Sequence, residues 1–348
     1  MAQRPSASPA PGHRPGAGGE FDLIERLGPY LAGAARGLVV GPGDDAAVLE
    51  VNGRAVCLSV DVVVEEVHFR RDLSSFADVG WKAVAVNCSD LAAMGARPSA
   101  AVVGLCRPRD VAPEAIESLY RGMAEACSRW GLLLVGGDTV ASATLVVALT
   151  AVGEVDPSRA VRRSGARPGD RLVVVGALGS AAAALAQVAG GMDADPALLA
   201  AHRRPRALVD AGGELARRGA TAMIDVSDGL GADLGHLCAA SGVRAAVRAA
   251  ALPVAAGVAA AAAAVGADLW EVACGGGEDY ALLAAVPAEV AATAAQAAGE
   301  AEGVPAAVVG DVVAPEAGSG PAALLVLPDG STRDLAGMGW DHYPKERA

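Results

Sequence analysis

Aromatic side chains are scarce in this chain: 3 Phe, 4 Tyr and 4 Trp among 348 residues. The 53% hydrophobic content is therefore mostly Ala, Val and Leu, and it excludes disorder as the main state, which requires low hydrophobicity. Basic residues are also short, 28 against 40 acidic. The resulting net charge of -12 excludes a nucleic-acid surface, whose phosphates need a Lys/Arg footprint. Long apolar runs are missing too. The uncharged stretches 172–192 and 249–267 are alanine-rich and broken by glycine or proline, unlike the Leu/Ile/Phe-rich span of about 20 residues that a bilayer demands. Residues 1–19 lack the apolar core of a secretory signal and are expected to form a disordered tail. Six cysteines without a C-x-x-C argue against a metal-thiolate site and fit reduced, mostly buried thiols in a cytoplasmic protein.

What is present is enough chain for about two domains, rich in turns, with 44 Gly and 20 Pro. Hydrophobic periodicity predicts a helix from residue 21 to about 32, a strand at 55–60 and a helix at 76–94. A strand at 100–106, a helix at 113–130, a short strand at 132–135 and a β-branched run at 144–152 follow. Such alternation means α/β layering. The polar, basic, turn-rich segment DPSRAVRRSGARPGD (156–170) reads as a linker between an N-terminal domain at 20–155 and a C-terminal domain at 171–348. The second half begins with a strand at 171–175, a GALGS turn and an Ala-rich helix. Helices at 206–218 and 230–240 and strands at 222–224, 280–285, 306–309 and 323–327 complete it. The alanines at 259–264 read as a helix on propensity alone.

The chemistry-bearing feature is a recurring unit in which a glycine or small residue precedes Asp or Glu at the end of an apolar run. It occurs as GPGDD (Asp44, Asp45), LSVD (Asp61), NCSDL (Asp90), VGGDT (Asp138), IDVSDGL (Asp225, Asp228) and CGGGEDY (Glu278, Asp279). Any one of these is explained by turn chemistry or helix capping. So many carboxylates on glycine-softened turns suit Mg²⁺, which is held by a few carboxylates plus substrate phosphates. An acidic site repels a bare polyphosphate, so it needs divalent metal to bind one. The chain has neither a G-x-x-x-x-G-K-S/T loop nor the H-R-D and D-F-G of protein kinases. The GALGS turn reads either as a phosphate cradle or as a plain tight turn.

In order and spacing, GPGDDAAVL, SVDVVVEEVHF, KAVAVNCSDLAAMGARP, LLVGGDT, RSGARPGD, DVSDGLGADLGHL, GGGEDY and GMGWDHY resemble the thiamine-monophosphate kinase family. That family belongs to the superfamily of aminoimidazole ribonucleotide synthetase and selenophosphate synthetase. The resemblance runs from about residue 20 to 343. It implies a two-domain α/β fold whose N-terminal domains pair in a homodimer, with ATP and several Mg²⁺ ions in the interdomain cleft. It also implies a phosphotransferase with a phosphate acceptor, converting ATP and thiamine phosphate to ADP and thiamine diphosphate as the final step of thiamine diphosphate biosynthesis. Residue by residue, it implies that Asp45, Ser59, Asp61, Asp90, Asp138, Asp225 and Asp228 serve the metals. Tyr120, Gly137, Asp138, Arg163 and Ser227 contact ATP, and His68, Glu278 and Trp340 meet thiamine phosphate.

Several of these residues also have plainer readings: Tyr120 as helix core, His68 as a hydrogen-bonded turn residue, Arg163 as part of a solvated linker. Trp340, set among glycines, offers an aromatic face to a cationic thiazolium ring. The family usually places Ser or Thr before the Asp of the second motif, where this chain has Val60. No general base is assigned, because a phosphate monoester with a second pKa near about 6 is already largely anionic at neutral pH. The alternatives are another ATP-dependent synthetase of the superfamily and a non-catalytic nucleotide-binding assembly protein. Neither membrane nor nucleic acid is expected as a partner.

Overall fold

A computed structural model describes residues 20–27, 30–31, 37–316, 319–335 and 337–341. The tail expected at 1–19 lies outside the described residues, as does the end of the first expected helix.

The first half holds α1 (Glu20–Leu27), β1 (Leu38–Val40), β2 (Ala47–Val51), β3 (Arg54–Val64), α2 (Phe76–Ala93), β4 (Arg97–Pro108), α3 (Pro113–Trp130), β5 (Leu133–Ser142) and β6 (Val146–Val155). Its strands form one sheet in the order β1-β2-β3-β6-β4-β5, antiparallel except for the β4–β5 pair that α3 connects. Local chemistry sets the helix ends. Ser75 and Asp78 make a capping box at the start of α2, Pro113 opens α3, and Gly131 closes it in the left-handed conformation.

Side chains alternate across β3, β4 and β6. One face, with Cys57, Val63, Val103, Leu105, Val147 and Leu149, is buried beneath α2 and α3. These two helices cross so closely that a Cβ on Gly122 would lie 1.8 Å from the Ala77 carbonyl oxygen. The other face is left open. Leu58, Val60, Val62, Val102 and Val140 stand exposed on it.

The second half contains β7 (Arg171–Val175), α4 (Ser180–Ala189), α5 (Pro196–Arg203), α6 (Val209–Arg217), β8 (Ala222–Val226), α7 (Leu230–Ser241), β9 (Arg244–Arg248), α8 (Val258–Ala264) and α9 (Leu269–Gly275). It ends with β10 (Ala281–Val286), α10 (Ala291–Glu302), β11 (Ala306–Val313), β12 (Ala322–Val326) and β13 (Thr332–Asp334). The sheet runs β13-β12-β9-β11-β7-β10-β8, antiparallel except for β9–β12. The fold is thus mixed α/β, with two sheets and helices layered on both.

Strands β7, β8 and β10 are buried on both faces. One face, with Leu172, Val174, Ile224, Val226 and Leu283, packs beneath α7. The other, with Val173, Val175, Met223, Leu282 and Ala284, belongs to the same continuous core as α2, α3 and the first sheet. The two halves therefore share a hydrophobic interior. Residues 203–207 clamp the junction: the Trp81 indole N–H donates to the Pro205 carbonyl (2.8 Å) and that of Trp130 to Ala207 (3.1 Å). The Arg204 guanidinium lies over the Trp81 ring and pairs with Asp78 and Glu125. No described helix is long and apolar enough to cross a membrane. The run 172–192 is a strand, a turn and a helix.

Gly122→Ala should cost about 1–3 kcal/mol, the usual penalty of overpacking, because backbone and not a flexible side chain stands in the way. Urea unfolding of wild type and variant checks this, and an unchanged midpoint would mean that the helices move apart freely.

Candidate active site

Between the two sheets lies a cleft of about 780 Å³, within the range of small-molecule sites. Four carboxylates from four elements meet at its base. Asp45 comes from the turn before β2, Asp61 from β3, Asp90 from α2 and Asp225 from β8. Oxygens of Asp45, Asp90 and Asp225 all lie within 4.8 Å of one another. Ser59 Oγ donates to Asp90, Ser89 Oγ donates to Asp225 (2.6 Å), and the Asp61 carboxyl group stands beside that of Asp90.

Withdrawal from water and mutual repulsion are legible in the acidities. Burial, then the charges of Asp61, Asp225 and Asp45, pushes Asp90 well above the usual carboxylate range. Burial and the Asp45 charge push Asp225 up to about 8. Asp44, beside them, is raised to about 6, chiefly by burial. Arg163 answers this cluster: it donates to Asp45 Oδ1 through Nε (3.1 Å) and Nη2 (2.7 Å), while its backbone N–H donates to Asp44 (2.6 Å). Asp45 Oδ2 is buried with no hydrogen-bond partner among the described residues. A buried carboxylate oxygen left open in this way is costly unless something charged meets it.

The other end of the cleft is built by GGGEDY. The chain passes so close to Ser227 that a Cβ on Gly277 would sit 2.5 Å from the Ser227 carbonyl oxygen, and Glu278 follows with φ of 68°. Its carboxylate accepts from Lys82 Nζ (2.6 Å) and from His202 Nδ1 (2.5 Å). Burial opposes its ionisation, but the Lys82 charge and the His202 hydrogen bond outweigh that and hold its pKa at about 2. His68, at the turn after β3, accepts from the Val64 backbone N–H through Nδ1 (3.1 Å). Trp340 is anchored by its backbone N–H to the Asp228 carbonyl (2.9 Å), with its ring half exposed at the mouth. Ser227 and Asp228 line the wall between the two ends, and Asp233 receives the Asp228 and Gly229 amides.

Of the residues singled out in the sequence, the structure therefore gathers Asp45, Ser59, Asp61, Asp90, Arg163, Ser227, Asp225, Asp228, His68, Glu278 and Trp340 around one cleft. It does not bring Tyr120, Gly137 or Asp138 there. Tyr120 packs half-buried against the core from α3. Gly137 and Asp138 lie on β5, the far edge of the first sheet, three strands from β3. Val60 points to the open face at the cleft rim, so Ser59, not residue 60, supplies the hydroxyl beside Asp90.

The GALGS turn is not a free phosphate cradle. Asp279 accepts from the Gly179 amide (2.9 and 2.8 Å) and from that of Ser180, so the helix terminus is satisfied internally. Lys82 and His236 fall inside the KAVAVNCSDLAAMGARP and DVSDGLGADLGHL segments without being assigned a role there, and His202 falls in none of the motifs, yet all three line the cleft. Burial, and then the Arg163 charge, lower the His236 pKa to about 4.

Comparison with known proteins agrees with this architecture. Residues 43–155 match the AIR synthase related protein N-terminal domain and residues 167–320 the corresponding C-terminal domain, so the chain is a member of the AIR synthase related proteins. Thiamine-monophosphate kinase of Mycobacterium tuberculosis is 42% identical over 267 residues, 76% of this chain and 80% of that protein. That of Escherichia coli is 37% identical over 332 residues, 93% of this chain and 98% of that one. Within the class, the chain belongs to the thiamine-monophosphate kinase family. A solved structure of AaThiL complexed with AMPPCP and TMP superposes with a TM-score of 0.78 at 32% identity, covering 93% of this chain and 97% of that one. Hydrogenase maturation protein HypE, at 22% identity, shares the fold (TM-score 0.69, covering 90% of this chain and 93% of that one).

A raised carboxyl pKa stabilises the fold fully below the unfolded value of about 3.9 and loses that contribution as pH climbs through the folded value. With divalent cations chelated, the melting temperature should therefore fall as pH rises from about 4 through about 6, for Asp44, to about 8, for Asp225. Glu278, shifted the other way, contributes a change only below about pH 4. Thermal melts in EDTA should show this slope, and Asp225→Asn should flatten it; a pH-independent melting temperature would contradict the repulsion.

Proposed function

We propose that this protein transfers the terminal phosphoryl group of ATP directly to thiamine phosphate, giving ADP and thiamine diphosphate. The observation that carries the reading is the pairing, in one cleft, of a buried aspartate cluster with a second end built from His68, Glu278 and Trp340. Its family relatives carry the name of this activity, and a solved relative holds an ATP analogue together with TMP.

The donor set fits Mg²⁺: hard carboxylate oxygens from Asp45, Asp61, Asp90 and Asp225, with Asp45 Oδ2 buried and without a hydrogen-bond partner among the described residues. Ser59 and Asp228 stand beside them. Magnesium bound there supplies the positive charge that lets two phosphorylated molecules approach. The chain's own residues do the rest. Arg163 adds a fixed guanidinium at the same end, suited to phosphate oxygens, and Ser227 lines the path between the ends. Trp340 offers its face to the cationic thiazolium, and the ionised Glu278 places a negative charge near it. No side chain need remove a proton, because the acceptor oxygen is already anionic. Catalysis then rests on positioning and electrostatics.

The open face of the first sheet supports a homodimer. Val60, Thr150, Val102 and Gly136 form one register row across it, and Val62, Ala148, Gly104 and Asp138 the next. An exposed apolar sheet face of this extent marks an interaction surface. Asp138 lies on that open face, next to Gly137 on the edge strand, so the roles in ATP and metal binding assigned to them would be filled from the partner side. The division into 20–155, a linker at 156–170 and 171–348, and a cytoplasmic location in keeping with six free thiols, form part of the same reading.

Purified protein with ATP, Mg²⁺ and thiamine phosphate should yield thiamine diphosphate on chromatography of the thiamine esters, and none above the enzyme-free blank would end the proposal. Asp90→Asn should lower turnover by more than about 100-fold while circular dichroism stays unchanged. Placing a charge on the open face, as in Val102→Glu, should shift sedimentation from dimer to monomer. A wild type that sediments as a monomer at micromolar concentration would remove the dimer.

A further inference from the structure

Lys82 is one of only two lysines in a chain whose 28 basic residues are otherwise arginine. It sits on α2, 2% exposed, on a stripe shared with Val86 and Asp90. A lysine this buried is found only where its charge is met. Its ammonium donates to the His68 carbonyl oxygen (2.8 Å) and to Glu278 Oε1 (2.6 Å), and lies 3.4 Å from His202 Nδ1.

We propose that Lys82 is the positioning residue of the acceptor end of the cleft, its single ammonium fixing the His68 turn that follows β3 against Glu278 in the segment that leads into β10. This rests on the reading that His68 and Glu278 bind thiamine phosphate. Three observations support it. The ammonium is compact and donates in three directions, which matches acceptors converging from two domains; a planar guanidinium fork does not. Both Glu278 oxygens have a fixed donor, Lys82 on Oε1 and His202 on Oε2, so the carboxylate plane is set before any ligand arrives. Glu278 also holds a left-handed backbone conformation, which a non-glycine residue keeps only where its surroundings over-determine it.

The same helix carries Asp90 two turns further on, about 12 Å along the axis at 1.5 Å per residue. One rigid element thereby spaces the acceptor end from the metal end. A phosphoryl transfer that depends on alignment needs such spacing.

The test is steady-state kinetics of wild type, Lys82→Met, Lys82→Arg, Glu278→Gln and the Lys82→Met/Glu278→Gln double variant, with both substrates varied. Lys82→Met should raise the KM for thiamine phosphate by at least about tenfold while the KM for ATP stays within about twofold. Because Lys82 acts through Glu278, the double variant should be no more than about twofold worse than Glu278→Gln alone. Lys82→Arg keeps the charge but not its placement, and should recover less than half of the loss. It also serves as the readout should Lys82→Met not fold. An unchanged KM for thiamine phosphate, a parallel rise in the KM for ATP, full recovery by arginine, or multiplicative effects in the double variant would each overturn the assignment. Wild-type protein that makes no thiamine diphosphate fails the underlying reading instead, and is seen before any variant is compared.

Discussion

Four carboxylates held together out of bulk water repel one another, and the rest of the molecule is arranged to withstand that repulsion. Asp45, Asp61, Asp90 and Asp225 come from a turn, a strand, a helix and a strand of the opposite sheet, so no local flexing can let them drift apart. Arg163 neutralises only part of the charge, and one oxygen of Asp45 is left without a donor among the described residues. A fold optimised for stability alone would replace some of these groups with neutral ones. Their retention is the trade of stability for function that active sites commonly show.

The rigidity required comes from the interior the two halves share. One face of the second sheet is buried in the same core as α2 and α3, and the Arg203–Ala207 segment is tied to the indoles of Trp81 and Trp130. α2 is the common strut. It contributes Asp90 to one end of the cleft, Lys82 to the other, and Trp81 to the clamp between the halves. A helix with so many obligations is buried nearly all round, which explains why its sequence is apolar on every face except where a charged group has a partner.

Much of this is legible in the sequence, and the exceptions have physical causes. Pro113, Gly131 and the Ser75 cap mark helix ends well, because those residues act through their own backbone chemistry. The short β1–β2 hairpin is hidden, since three apolar residues followed by GPGDD look like a loop. Strand β5 runs beyond the expected end at residue 135: Gly136, Gly137 and Asp138 read as a turn, whereas they continue an exposed edge strand. Most site carboxylates can be found by their recurring glycine-acid setting. Lys82 and His202 cannot, since their roles depend on contacts with Glu278, 196 and 76 residues away. The signal for Lys82 is its position four and eight residues before Val86 and Asp90 on an otherwise apolar stripe. Tyr120, which the resemblance assigned to ATP and its helical setting to the core, packs half-buried against the core, because a helix face cannot be assigned to a cleft from one residue.

The scarcity of aromatics gives the protein a readable optical signature. Trp81 and Trp130 lie with ring centroids 5.2 Å apart against the clamp, shielded from solvent to different degrees, whereas Trp340 stands 56% exposed at the cleft mouth. The junction between the halves and the entrance to the site are therefore reported by indoles in different environments, the entrance by a red-shifted, quencher-accessible one. With Trp270 replaced, since it packs against the second core and emits alongside them, ligand capture and domain separation can be followed in the same emission spectrum without attaching any probe.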